Sequence, residues 1–291
     1  MPVTVIKLGI PSGSLQKATI ELFSKAGFDI SGADRSYQPR IDDEHIKLIM
    51  LRAQEMSRYV EDAVLDAGIT GYDWILENDS DVVEVCELAY SKATSKPAKW
   101  VLAVPSESNI KKPEDLKGGI ISTELVNVTK KYFADKNIDV KVEFSWGSTE
   151  VKARLVDAIV ELTETGSSLA ANSLRVIDTV ATSTTRFIAN KNSWQDKGKR
   201  EIIENISILL NAAIDARTKV GLKLNTKKSD LQSVLALLPA EKSPTISSLA
   251  DSEYIAVEVI IEDEIERRLV PALKRAGASG IITYPINKVI H

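Results

Sequence analysis

The chain has 291 residues, a formal net charge of -4 and a sequence pI near 5.5. This charge gives no general attraction to nucleic acid, although it leaves room for a local basic site that binds a small anion. Hydrophobic residues make up 44% and charged residues 27%, a globular composition with length for about two domains, or three small ones. No apolar run approaches the roughly 18 residues of a membrane span, and the N-terminus lacks a signal-peptide pattern. We therefore expect a cytoplasmic protein with neither a nucleic-acid nor a membrane partner.

Strand-like and helix-like patterns alternate from the start of the chain. The first predicted elements are strand 3–10, helix 15–26, strand 46–51, helix 56–65, strand 67–71 and helix 72–77. Apolar residues at helical spacing mark the helices, and Gly27 is a good C-terminal stop for the first one. This alternation predicts an α/β fold with a largely parallel sheet.

The middle of the chain repeats this alternation. The predicted elements are strand 100–104, strand 120–122, helix 124–136, strand 140–144, an apolar strand at 156–162, a β-branched strand at 179–189 and a helix at 196–219. We expect a second α/β lobe here, with the β-branched stretch carrying the chain back to the first lobe.

The part of the chain from residue 219 onward follows a different order. The predicted elements are strand 221–225, helix 228–238, strand 244–248, strand 254–261, helix 263–276 and strand 280–285. The order βαββαβ is that of a ferredoxin-like module. The predicted domains are a first lobe made of 1–95 with 181–218, a second lobe of 96–180 and a C-terminal domain of 219–291.

Three glycine turns, at Gly13, Gly71 and Gly166, each follow a strand-like segment. Ligands of open α/β sheets bind at the carboxyl ends of strands, so the three turns could face one cleft. At the third turn, backbone N–H groups and serine hydroxyls could hold a phosphate monoester, with Glu161 upstream to meet sugar hydroxyls. The alternative is an ordinary strand–turn–helix corner with Ser167 as N-cap. No P-loop or dinucleotide-binding glycine motif is present.

Charged side chains near these turns also have two interpretations. Arg52 ends a predicted strand, where an arginine could grip phosphate in a cleft or lie solvated on the surface. Asp73 could line the same cleft or cap its own helix. The single cysteine, Cys86, lies in an apolar alternation typical of a buried strand. His45 and His291 lack partners at metal-ligand spacing. We therefore expect chemistry without a covalent protein intermediate.

Several motifs occur in an order that resembles the long form of ATP phosphoribosyltransferase, the first enzyme of histidine biosynthesis. These motifs are 8–15, 51–55, 68–74, 157–169, 243–245 with 249–251, and 277–282 through 285–288. The resemblance implies two lobes like those of type II periplasmic binding proteins, followed by a C-terminal ferredoxin-like (ACT-like) regulatory domain. It also implies transfer of phosphoribosyl from phosphoribosyl pyrophosphate to N1 of the adenine of ATP, with Mg²⁺. Such a reaction needs positioning and electrostatic stabilisation rather than a protein nucleophile.

The resemblance also implies roles for individual residues. The catalytic residues it implies are Arg52, Asp73 and Glu161. The substrate-binding residues it implies are Ser12, Gly13, Ser14, Gly71, Asp157, Thr165, Gly166, Ser167 and Ser168. The turn from Thr165 to Ser168 would hold the 5′-phosphate, and the first two turns would face the nucleotide and the pyrophosphate. No particular metal ligand is predicted.

Departures from the family pattern affect these roles. Many relatives have Lys-Gly-Arg-Leu where this chain has Ser12-Gly13-Ser14-Leu15, so a basic contact is missing or comes from Lys7 or Arg52. The segment 150–157 is about two residues shorter than in some relatives. Long-form relatives bind histidine as an inhibitor in the C-terminal domain, here implied at Asn225 and Thr245, and they assemble from dimers into hexamers. Asn225 stands where some relatives have an acid. The alternative function is a non-catalytic cytosolic sensor with a solute-binding fold.

Overall fold

The computed structural model describes residues 3–90, 97–239 and 244–290. The chain forms two compact units, Met1–Ile208 and Leu209–His291. The elements of the first unit are β1 (Ile6–Ser12), α1 (Gln16–Ala26), β2 (Ile30–Ser31), β3 (Arg40–Ile41), β4 (Ile46–Arg52), α2 (Ala53–Glu61), β5 (Ala67–Gly71), α3 (Tyr72–Asn78), β6 (Val83–Leu88), β7 (Ala98–Pro105), β8 (Ile120–Thr123), α4 (Val126–Asp135), β9 (Lys141–Phe144), α5 (Thr149–Lys152), β10 (Ala158–Thr163), α6 (Ser167–Ala171), β11 (Leu174–Ser183), β12 (Thr185–Ala189) and α7 (Lys191–Gln195). Helix α8 (Lys197–Asp215) crosses the boundary between the two units.

A first lobe is built on a five-stranded sheet in the order β4-β1-β5-β12-β6. The side chains of Ile6, Leu8 and Ile10 in β1 are fully buried, as expected of a strand covered on both faces. Strand β1 pairs in parallel with β4 and β5, and Ser12 lies opposite Arg52 in the register. The carboxyl ends of these three strands therefore meet at one edge of the sheet.

A second lobe is built on a five-stranded sheet in the order β11-β7-β10-β8-β9. Its core contains Trp100, Leu102, Phe133 and Val160, and Trp74 of the first lobe packs against it. Strands β8, β9 and β10 run parallel, so the chain leaves their carboxyl ends at one edge. That edge carries the turn at Gly166.

Both sheets are largely parallel, as the sequence predicts, and each contains one antiparallel strand. Strand β12 runs antiparallel to both β5 and β6, and β7 runs antiparallel to both β10 and β11. The predicted strand 179–189 is in fact the end of β11 and the whole of β12, which belong to different sheets. Its β-branched residues favour extended structure throughout, and no glycine or proline marks the change of sheet. The predicted lobe boundary after residue 180 thus falls inside β11.

The second unit forms a four-stranded antiparallel sheet in the order β14-β15-β13-β16. Its elements are β13 (Lys219–Lys227), α9 (Leu231–Leu235), β14 (Thr245–Ser248), β15 (Tyr254–Glu262), α10 (Asp263–Arg275) and β16 (Ser279–Pro285). This is the predicted βαββαβ order with a ferredoxin-like strand arrangement. Leu222, Leu224 and Val257 pack with Leu273 of α10 in its core.

Within the described ranges, no helix is long and apolar enough to cross a membrane.

Candidate active site

A cavity of about 700 Å³ lies between the two lobes of the first unit. Its walls come from the carboxyl ends of β1, β4 and β5 on one side and from the segment after β10 on the other. Both sheets thus present their strand ends to the same space, as expected for ligand sites in α/β proteins.

Most of the predicted site residues line this cavity. They are Ser12, Ser14, Arg52, Gly71, Asp73, Glu161, Thr165, Ser167 and Ser168. Gly13 and Gly166 belong to the same turns without lining the cavity themselves. The three glycine turns of the sequence therefore come together around one space.

Asp157 is the predicted substrate-binding residue that the structure does not bring to the cavity. It precedes β10, at the opposite end of that strand from Thr163. Its carboxylate accepts a hydrogen bond from the backbone N–H of Ile120 at 2.8 Å, which joins the start of β10 to the start of β8. The placement of Asp157 is therefore a correction to the predicted site, since a strand of six residues spans roughly 20 Å.

Gly13 allows Arg52 to fold over the first turn. Gly13 has a φ of +86°, and a Cβ atom added there would lie 2.9 Å from Nη1 of Arg52. The guanidinium group thus lies next to the Ser12-Gly13-Ser14 turn, where Arg52 supplies the basic contact that the turn itself lacks. Among the described residues that line the cavity, Arg52 is the one cation.

Asp73 connects the two lobes beneath the cavity. Its carboxylate accepts hydrogen bonds from Nε1 of Trp100 at 2.6 Å and from the backbone N–H of Trp74 at 3.0 Å. Its own backbone N–H donates to Oγ of Ser183. Burial raises the pKa of Asp73, and the hydrogen bonds from Trp100 and Ser183 oppose that effect. The contacts fit a residue that positions helix α3 against the second lobe, so the predicted catalytic role of Asp73 stays a prediction.

The turn at Gly166 is held by its own hydroxyl groups. The N–H of Gly166 donates to Oγ1 of Thr163 at 2.7 Å, and the hydroxyls of Thr165 and Ser167 lie 2.9 Å apart. Gly166 has a left-handed backbone with φ 77° and is itself the N-cap of α6, in place of the Ser167 of the alternative interpretation. Because α6 has only five residues, the hydroxyls and loop amides matter more here than a helix dipole.

The carboxyl group of Glu161 has a pKa close to neutral pH. Burial raises its pKa to about 7, with further contributions from the charges of Glu150 and Glu124, while a hydrogen bond with Thr149 opposes the rise. A carboxyl group with this pKa is present in both protonation states at neutral pH. It can therefore donate to or accept from a sugar hydroxyl.

Sequence reasoning missed several residues of the cavity wall. They include Gln54, Trp100, Glu124, Glu164 and Ser183. The amide of Gln54 faces Glu124 from the opposite lobe at 3.5 Å. Glu124 follows the end of β8, and that position at a strand end is the only signal that could have found it.

The predicted effector residues lie on one face of the sheet in the second unit. Thr245 pairs with Glu258, which pairs with Lys223, two residues before Asn225. Directly paired residues and alternate residues share a face, so Thr245 and Asn225 point to the same side with β15 between them. Ser243, part of the same predicted motif, lies outside the described residues.

Known proteins resemble this chain over nearly all of its length. A family model described as ATP phosphoribosyltransferase matches residues 52–212, and a model for the C-terminal domain of that enzyme matches 216–288. The ATP phosphoribosyltransferases of Chlorobium phaeobacteroides and Thermodesulfovibrio yellowstonii are each 56% identical over 287 residues, 98% of this chain and of theirs. A chain of the ATP phosphoribosyl transferase (HisG:HisZ) complex from Thermotoga maritima has 26% identity and a TM-score of 0.62, covering 72% of this chain and 98% of that one.

Two α/β lobes around a cavity, followed by a ferredoxin-like module, define a two-lobed α/β protein with an added C-terminal domain. The family models and the sequence identity to the relatives indicate which reaction a protein with this fold catalyses. The chain belongs to the ATP phosphoribosyltransferase family, in its long form, and is a transferase of histidine biosynthesis. The resemblance stated from the sequence motifs is confirmed.

Proposed function

We propose that the cavity between the lobes is where the 5-phosphoribosyl group passes from phosphoribosyl pyrophosphate to N1 of the adenine of ATP. The observation that carries this proposal is that one cavity joins the hydroxyl-rich Gly166 turn to the Arg52-covered Gly13 turn. One turn suits the 5′-phosphate and the other suits the pyrophosphate. The proposal agrees with the names of relatives that match 98% of the chain, and that kinship disfavours a non-catalytic sensor.

The reaction needs little covalent help from the protein. The lone pair of adenine N1 forms a bond to C1′ of the ribose, and the bond from C1′ to the pyrophosphate oxygen breaks with its electrons going to pyrophosphate. Arg52, with Ser12 and Ser14, would stabilise the leaving group by hydrogen bonds that strengthen as its charge grows. Thr165, Ser167 and Ser168 would hold the 5′-phosphate and so fix C1′ in place.

Glu161 would act at the ribose. Glu161 belongs to β10 and lines the same cavity as the turn at Gly166. Its ionised form would stabilise the positive charge that develops on the ribose as pyrophosphate departs. Its protonated form would donate a hydrogen bond to a ribose oxygen in the resting complex.

Mg²⁺ fits this site as an ion that enters with the substrate phosphates. Within the described ranges, no three Asp, Glu, His or Cys side chains cluster as a metal site. Magnesium is commonly held by one or two carboxylates together with substrate phosphates, and the cavity wall offers Glu124, Glu161 and Glu164 against a single cation. When bound, the ion would neutralise part of the pyrophosphate charge.

The C-terminal unit is proposed to be regulatory. We propose that histidine binds it as an inhibitor near Asn225 and Thr245, and that the protein is cytoplasmic and assembles through dimers into hexamers. The matching C-terminal family model supports the long form. The amide of Asn225 carries no charge, so it would hold the amino group of histidine less strongly than an acid would.

A direct assay tests the proposed activity. Purified protein is mixed with ATP, phosphoribosyl pyrophosphate and Mg²⁺, and the absorbance of the N1-ribosylated product is followed. Arg52→Gln should lower kcat/KM by about 100-fold, because one aimed cationic donor supplies about 3 kcal/mol to such a transition state. The matched control is Arg58→Gln, since Arg58 is exposed and pairs only loosely with Glu55 at 4.0 Å. Binding of both substrates without turnover would favour the sensor instead.

A further inference from the structure

One hydroxyl of the proposed phosphate turn already donates a hydrogen bond to a carboxylate. Oγ of Ser168 donates a hydrogen bond to Oε1 of Glu150 at 2.6 Å. Glu150 lies in the first turn of α5, outside the predicted set of site residues. Ser168 lies in the cavity wall together with Ser167 and Thr165.

A serine hydroxyl has a single proton to donate. While that proton points to Glu150, Ser168 has none to offer a phosphate oxygen. Two acceptors that meet at one hydroxyl also lie within about 5 Å of each other, where two negative charges repel. Glu150 and a bound phosphate therefore compete for the same group.

The negative charge of Glu150 is not offset by an ion pair within the described part of the chain. No ion pair among the described residues includes Glu150. The charge of Glu150 already acts on a neighbouring carboxyl group, since Glu150 and Glu124 both raise the pKa of Glu161. Glu150 is only half-buried, so its side chain can turn out to water when a phosphate takes Ser168.

We propose that Glu150 is a positioning residue. In the empty enzyme it accepts the hydrogen bond of the Ser168 hydroxyl, and it loses this bond when the 5′-phosphate binds. Because of this competition, Glu150 lowers the affinity for the phosphate. This inference rests on the proposed function, because it takes the Gly166 turn as the phosphate site. This role differs from a supporting role for Glu150 in the direction of its effect on the affinity for phosphate. A support would strengthen binding, whereas a competitor weakens it.

The test measures binding of phosphoribosyl pyrophosphate with Mg²⁺ and without ATP, by calorimetric titration of the full chain. Glu150→Ala should bind about 3- to 10-fold more tightly than the wild type, the scale of one hydrogen bond. Glu150→Gln keeps an acceptor but loses the charge, and should also tighten binding, by less. The control is Glu143→Ala, which removes one negative charge from the same lobe at β9, where Glu143 pairs with Lys141 at 3.9 Å. That variant should bind as the wild type does.

A double-mutant cycle shows whether Glu150 acts through Ser168. In a Ser168→Ala background, Glu150→Ala should lose at least half of its effect on the dissociation constant. Weaker or unchanged binding by Glu150→Ala would overturn the inference, and Glu150→Gln would decide if the alanine variant did not fold. Absence of binding by the wild type would overturn the proposed function as well, so the two failures are distinguishable.

Discussion

At the residue scale, two glycines provide a matched test of the phosphate turn. Gly166 and Gly32 have nearly the same left-handed φ, +77° and +80°, and a Cβ atom at either would meet nothing within 4 Å. Valine should therefore cost similar backbone strain at both positions, about 1–2 kcal/mol. Gly166→Val should raise KM for phosphoribosyl pyrophosphate about 10-fold or more, because it alters the backbone of the turn that is proposed to hold the 5′-phosphate. Gly32→Val should leave KM unchanged in initial-rate assays, and equal shifts would contradict the assignment.

The raised pKa of Glu161 gives a prediction for pH dependence. Burial and the neighbouring Glu150 and Glu124 raise this pKa from 4.5 to about 7. Between these values the folded protein keeps a proton that the unfolded chain has lost, so the stabilisation is present at low pH and is lost as pH rises through about 7. Glu161→Gln should flatten this part of the stability curve in urea unfolding and remove an inflection near pH 7 from kcat/KM. Glu164→Gln, the control, should keep both features, and an unchanged profile in Glu161→Gln would assign the inflection to another group.

At the element scale, helix α4 depends on a carboxylate from the other lobe. Glu77 of α3 accepts hydrogen bonds from the backbone N–H groups of Asn127 at 2.8 Å and Val128 at 3.0 Å. Acids at helix N-termini contribute about 0.3–2 kcal/mol, so Glu77→Gln should lower the free energy of unfolding by about 1 kcal/mol in urea titrations. The control is Glu21→Gln, whose exposed pair with Lys17 should contribute less than about 0.5 kcal/mol. Equal losses of the free energy of unfolding in Glu77→Gln and Glu21→Gln would mean that the contact between the lobes does not contribute to stability.

The elements themselves were largely predictable from the sequence. Apolar periodicity and glycine stops placed the helices before Gly27 and Gly277, because local patterns dominate in long amphipathic segments. The strand at 179–189 shows where that reasoning ends. Residues on both sides of Thr184 favour extended structure, and only pairing with different neighbours separates β11 from β12.

At the scale of the whole molecule, the two compact units predict separable functions. A chain that ends at residue 218 would keep helix α8 entire and lose only the ferredoxin-like module. Domains with their own cores commonly fold alone, and the second unit has its own core. We expect the shortened chain to retain measurable transferase activity and to lose inhibition by histidine, measured side by side with the full chain. Inhibition that survived the truncation would place the effector site in the first unit.

The sequence by itself determined the fold class, the βαββαβ order of the C-terminal module and the family, because periodicity, turn residues and ordered motifs are local properties of the chain. Most of the site residues that it predicted line the cavity, since strand ends that precede glycine turns meet at a sheet edge. Only the tertiary structure removed Asp157 from the cavity, placed Arg52 over Gly13 and joined Glu150 to Ser168. Those facts depend on distances between segments far apart in the chain, which no local pattern encodes.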